Sequence, residues 1–272
     1  MRKFIKYEIK GSYKFILGVL LLTTILNLGS FTYLHSIDTP YVSTIGSIFL
    51  GIAFLIIFGM MVATAFYIVN LFKKELYEDR GYLTFTIPLS AKKILGSKVF
   101  VAFLWFVVIF IGFILSNALG LLIITPRGEL NSILESLKSL NISWKEVPWI
   151  EGFVTFIGLI INGMTLLLTI YFSMTLGRVS IRNKKFKGIW FFIFIFVSIL
   201  LLMVMVKGIE IVPYYLNVSR PGIESISTYH ALATANMNGD LLINIGSIIY
   251  SILAPVLLFF LTSSLMENSI DV

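Results

Sequence analysis

Apolar positions along this chain come in long unbroken runs, not in the alternating or three-and-four spaced patterns of a soluble fold. Stretches without a single Asp, Glu, Lys or Arg occupy 15–34, 39–72, 99–126, 152–177, 188–206 and 241–266, each between 19 and 34 residues long. A helix needs about 20 apolar residues to cross about 30 Å of hydrocarbon. No run alternates with period two, as the strands of a membrane barrel do. The pattern predicts an all-α integral membrane protein with six transmembrane helices, over 15–34, 42–72, 99–124, 153–176, 188–206 and 241–265, in a single membrane domain 1–272. The first run follows basic residues, but Asn27-Leu-Gly-Ser-Phe-Thr-Tyr33 after it holds no small-residue cleavage site. It reads as an uncleaved first helix.

Basic residues orient these spans. With the N-terminus inside, sixteen of the 21 Lys and Arg fall in cytoplasmic segments: Arg2 to Lys14, Lys73 to Lys98, and Arg178 to Lys187. Only Arg127, Lys138, Lys145, Lys207 and Arg220 fall outside. Both termini are therefore expected in the cytoplasm. Within 1–14, Arg2, Lys3, Lys6, Lys10 and Lys14 share one helical face and Phe4, Ile5 and Ile9 the other, with Glu8 misplaced among the apolar residues. This is the signature of an elbow helix lying among lipid headgroups. On the outer side, Leu130, Ile133, Leu134 and Leu137 space as one apolar helical stripe, and 207–240 reads as a longer loop.

The loop between spans two and three carries the densest signals. It reads Glu75-Leu-Tyr-Glu-Asp-Arg-Gly-Tyr-Leu-Thr-Phe-Thr-Ile-Pro-Leu-Ser90. Span two is too long for a bilayer, so its helix should continue into this segment. Gly81 is a plausible helix stop, Pro88 prevents a direct restart, and Ser90 is placed as the N-cap of the next helix. Between them stand Tyr82, Leu83, Phe85 and Ile87. Apolar residues in a short charged loop favour lipid or a protein groove. Glu75, Glu78 and Asp79 are poorly placed beside an anionic leaflet, which favours the groove.

Composition sharpens the picture. The chain is 58% hydrophobic and 13% charged, with no cysteine, 24 Phe and 12 Tyr, which excludes a soluble domain, a disordered chain and any thiolate chemistry. Its net charge of +7 belongs to the cytoplasmic loops and does not point to nucleic acid. There is no phosphate-binding Gly-x-x-x-x-Gly-Lys-Ser/Thr, no Gly-x-Ser-x-Gly and no His-Glu-x-x-His. His35 and His230 are both expected outside, His35 beside Asp38, and neither has a histidine neighbour. The spans offer no carboxylate or histidine relay, only Asn27, Asn70, Asn117, Asn162 and hydroxyls, which suit helix–helix contacts better than ion transport. Energy for any transport would have to come from another protein.

The order of a basic elbow, a long second span, the loop Glu75–Ser90 and six spans with inner termini resembles the ABC-2 type permease family. More narrowly, it looks like the small bacterial permeases that export peptides, lantibiotics or other amphiphiles, including the phenol-soluble modulin exporters. The resemblance implies a non-catalytic permease subunit of the bacterial plasma membrane that pairs with a second permease, identical or a close paralogue. It also implies two cytoplasmic ATPase subunits that bind the ATP and magnesium, this chain holding no cofactor of its own. The cargo implied is amphipathic or hydrophobic. The resemblance places ATPase coupling at Glu75, Glu78, Asp79, Arg80, Gly81, Tyr82, Leu83 and Thr84, and a second cytoplasmic contact at Arg178, Arg182, Lys184 and Lys185. From the residues alone, a membrane anchor or sensor of a signalling complex and a membrane-embedded enzyme remain the alternatives, the latter disfavoured by the lack of clustered polar groups.

Overall fold

The structure, a computed structural model, describes residues 2–36, 44–77, 89–124, 149–180, 188–219, 222–225 and 241–268. Six helices dominate it: α1 (Arg2–His35), α2 (Thr44–Tyr77), α3 (Ala91–Ile124), α4 (Trp149–Ser180), α5 (Ile189–Ile211) and α6 (Ile245–Asn268). Each overlaps one charge-free run, and all six are long and apolar enough to cross a membrane. This is a multi-pass arrangement. In α5 no residue is buried, and Phe192, Phe196 and Leu202 are each more than 60% exposed, a surface that only hydrocarbon would solvate.

The helices overrun the charge-free runs. α2 continues past Phe72 to Tyr77, and α3 begins at Ala91, eight residues ahead of Val99. Lysine is a good helix former, so a charge ends the apolar run without ending the helix. Ser90 occupies the N-cap position expected for it, its carbonyl accepting the amides of Lys93 and Ile94 at 2.9 and 3.2 Å. The segment 1–14 is not set apart as an elbow: from Arg2 onward it forms one helix with the first span. Gly11, near the join, costs about 1 kcal/mol relative to Ala. Ser12 beyond it donates back to the Glu8 carbonyl at 2.9 Å and stays within the helix.

Contacts divide the chain into two compact units, Met1–Asn70 with Phe100–Glu146, and Leu71–Val99 with Val147–Val272. In the first, α1 is held to α2 by Phe15 stacked on Tyr67 at 4.1 Å and by the Tyr67 hydroxyl donating to the Gly11 carbonyl at 3.2 Å. It is held to α3 by two polar bonds, Trp105 Nε1 to Ser12 Oγ at 2.9 Å and Asn27 Nδ2 to Ser116 Oγ at 2.8 Å. Ser12 and Trp105 are both buried.

In the second unit α4, α5 and α6 pack on one another. The end of α5 and the start of α6 meet backbone to backbone: a Cβ at Gly246 would overlap the Gly208 carbonyl oxygen. Between these helices the chain folds a small antiparallel sheet in the order β2-β1-β3, from β1 (Tyr214–Asn217), β2 (Gly222–Ser225) and β3 (Leu242–Asn244). The register pairs Leu216 with both Ile223 and Ile243. Where the sequence pattern predicts a loop over 207–240 and a last span from 241, the structure places β1 and β2 within that loop and makes 242–244 a strand, the helix starting at Ile245. Asn244 then caps α6, accepting the Ser247 amide at 3.1 Å, and donates to the Val212 carbonyl at 2.8 Å.

Hydroxyls within the helices turn back on their own backbone. On α4, Thr165, Thr169, Ser173 and Thr175 each donate to the carbonyl four residues earlier at 2.7–2.8 Å, and Thr24, Thr64 and Thr262 do the same on other helices.

Candidate coupling site

The two helix ends that flank the loop after span two both belong to the second unit. The end of α2 is fastened to α4 at two levels. Phe72, only 1% exposed, stacks on buried Tyr171 with ring centroids 4.0 Å apart and planes 24° from parallel. One turn on, the Tyr77 hydroxyl donates to the Met174 carbonyl at 2.9 Å. Leu76, between them in sequence, is buried as well. At the start of α3, Ala91, Ile94, Leu95 and Ser97 are buried, and Lys92 lies 5.7 Å above the Phe260 ring of α6. Both stems of the loop are thus seated on the α4–α6 bundle.

Cations and aromatic faces gather at the same end. Arg178 lies 5.9 Å from the Tyr77 ring centroid and Lys73 5.8 Å from that of Trp190, the second residue of α5. Burial pushes the Tyr77 phenol above its ordinary value, while the Arg178 guanidinium pulls it down. The net direction is upward, so Tyr77 keeps its proton and remains a donor at neutral pH.

Of the residues expected to couple to a partner, Glu75 lies in the last turn of α2 and Arg178 at the end of α4. Arg178 meets Tyr77, which no motif in the sequence marks. Glu78, Asp79, Arg80, Gly81, Tyr82, Leu83 and Thr84 lie outside the described residues, as do Arg182, Lys184 and Lys185, and the stripe Leu130–Leu137 with Asp38 and His230. Phe72, Lys73, Tyr77 and Trp190 were not singled out from the sequence. The available signal is aromatic and basic residues gathered near the span ends, with Phe72 adjoining Lys73.

Elsewhere, the polar span residues serve structure. Asn27 joins α1 to α3, whereas Asn117 and Asn162 donate to their own helices at 2.8 and 2.9 Å. A cavity of about 30 Å³ lies among α1, α2 and α3, lined by Leu20, Met61, Phe113 and the Asn27–Ser116 pair. Ligand pockets run to about 300–1,000 Å³, so this one has room for little more than water. Among the described residues no three His, Asp or Glu side chains stand close enough together to hold a metal ion. Compared with protein-family models, curated proteins and solved structures, the chain matches none.

Proposed function

We propose that this chain is the membrane subunit of an ATP-driven exporter of the ABC-2 type, working in the bacterial plasma membrane. It pairs with a second permease and two cytoplasmic ABC ATPase subunits and expels amphipathic or hydrophobic cargo, with peptides such as toxins or antimicrobials as the leading class. The observation that carries the reading is the seating of both loop stems, Phe72–Tyr77 and Ala91–Ser97, on the α4–α6 bundle. A push on loop residues Glu78–Thr84 is then delivered to a packed body of helices and not absorbed by two free ends. Spans without ionisable relays support an external energy source, as does the absence of a phosphate-binding loop from the sequence.

In this scheme Gly81, Tyr82 and Leu83 enter a cleft on the ATPase. Glu75, Glu78, Asp79 and Arg80 form a charged rim that governs encounter rate more than affinity. Arg182, Lys184 and Lys185, beyond Arg178 at the end of α4, supply the smaller second contact. ATP binding closes the ATPase pair, moves the loop and tilts the helices behind it.

The test is purification from the native membrane with a tag on this chain. A stoichiometric ATPase carrying its own phosphate-binding loop should copurify, and the isolated chain should hydrolyse no ATP above a mock preparation. Hydrolysis by the isolated chain, or a complex containing only signalling proteins, overturns the reading.

A further inference from the structure

We propose that Lys73 and Arg178, with Trp190 and Tyr77 around Gly177, form a binding site for the phosphate of an anionic phospholipid headgroup. The inference needs only a membrane-spanning chain and stands apart from the exporter reading.

Depth is the first argument. The apolar spans Thr44–Lys74 and Trp149–Arg178 end at this cluster, and Ile189–Ile211 begins there. Three helices therefore bring their termini to one level, where headgroup phosphates lie and where tryptophan and tyrosine concentrate. Donor chemistry is the second. Neither Lys73 nor Arg178 has a carboxylate within ion-pair distance among the described residues; the ion pair found there is Lys207–Glu210, at the far end of α5. The half-buried Trp190 likewise has no acceptor for its indole N–H among those residues. Among the described residues two cations and a free N–H face no carboxylate, and the Tyr77 hydroxyl, whose proton goes to Met174, keeps only its neutral oxygen to accept with. An anion completes such a set.

The cluster is also close-packed. A Cβ on Gly177 would come within 3.2 Å of Trp190 Cβ and 3.3 Å of the Tyr77 hydroxyl. The bare glycine lets both rings close on α4 and hold the two cations by their faces. An acidic protein surface would reach loop tips more readily than this level of the helices.

Native mass spectrometry of the delipidated full chain, titrated with phosphatidylglycerol or phosphatidylcholine, tests the site. Phosphatidylglycerol should be retained in preference. Lys73→Gln with Arg178→Gln should weaken its binding at least about tenfold, as loss of two interfacial cations implies. Lys92→Gln with Lys93→Gln should leave it unchanged, and the charge-conserving Lys73→Arg with Arg178→Lys should retain it. Equal affinity for the two lipids, equal loss in both neutralised variants, or loss in the charge-conserving variant overturns the proposal. So does displacement of the lipid by millimolar inorganic phosphate, which marks a free-anion site, or loss of a bound ATPase with lipid retention intact, which marks a protein contact.

Discussion

Replacing Phe72 by Ala removes the ring that seats the end of α2 on α4. The ring is 1% exposed and stacked at 4.0 Å on Tyr171, so its loss leaves a full phenyl void. In aqueous cores such a change costs about 3–5 kcal/mol. Lipid tails are as apolar as the ring, which removes part of the transfer term and leaves mainly lost packing. The expected cost is therefore near the lower limit, about 3 kcal/mol. Tyr77→Phe deletes only the hydroxyl bonded to Met174, and that carbonyl stays within the turns of α4. No buried group is orphaned, and the cost should be about 0.5–1.5 kcal/mol. Phe54→Ala, on the same helix but 68% exposed, should cost almost nothing. Reversible unfolding in mixed micelles, followed by circular dichroism, measures all three. If the proposed ATPase partner is reconstituted with it in proteoliposomes, Phe72→Ala should keep basal hydrolysis and lose its stimulation by cargo, and Tyr77→Phe should fall between it and the native protein. A full stability loss with stimulation intact would show that force does not pass through the α2–α4 contact. A cost for Phe72→Ala no larger than that of Phe54→Ala would remove the packing argument itself.

Tyr82→Ala with Leu83→Ala should weaken docking of the proposed ATPase by about a hundredfold or more at normal membrane abundance, since a side chain that becomes buried on docking is worth about 1.5–3 kcal/mol; quantitative pull-down reads it. Single cysteines replacing Ser139 and Ile223 should react with an impermeant maleimide in intact cells and one replacing Lys185 should not; Ile223 serves because it is 66% exposed, whereas Asn217 on the neighbouring strand is buried. Gly246→Ala forces α5 and α6 apart and should cost about 1–3 kcal/mol in the same unfolding assay, while Gly18→Ala, with open space around it, should not destabilise. The raised Tyr77 phenol favours the protonated form in the folded chain, so its contribution is complete below pH 10.0 and lost as pH rises through the higher folded value; Tyr77→Phe should lack that share of the alkaline loss.

The six helices were legible because hydrocarbon demands runs of apolar residues, a demand that leaves its mark in one dimension. Helix ends were not. Lys73 and Lys98 bound charge-free runs, and Lys74, Lys92 and Lys93 lie just beyond them, yet lysine propagates a helix well, so α2 and α3 extend further than composition suggests. The elbow at 1–14 was read from a correct amphipathic face, but a face does not say where a helix bends. The strands were missed for a related reason: Leu242 and Ile243 extend an apolar run, and only pairing with Tyr215–Asn217 makes them strand. Likewise the seating of Phe72 on Tyr171 joins residues about a hundred positions apart in sequence. No local pattern announces it.

The inward-turned hydroxyls of α1, α2, α4 and α6 have a consequence for biogenesis and for motion alike. A threonine that bonds its own helix carries no unmet polar demand into the lipid, so each segment can leave the translocon alone and wait for its neighbours. Among the described residues, polar links between segments include Asn27 to Ser116 and Trp105 to Ser12, few beside the hydroxyls that turn inward. Surfaces joined mainly by dispersion part and rejoin without exposing an orphaned donor at any intermediate separation. A bundle assembled this way can slide, where one laced with interhelical amides would snap between fixed registers.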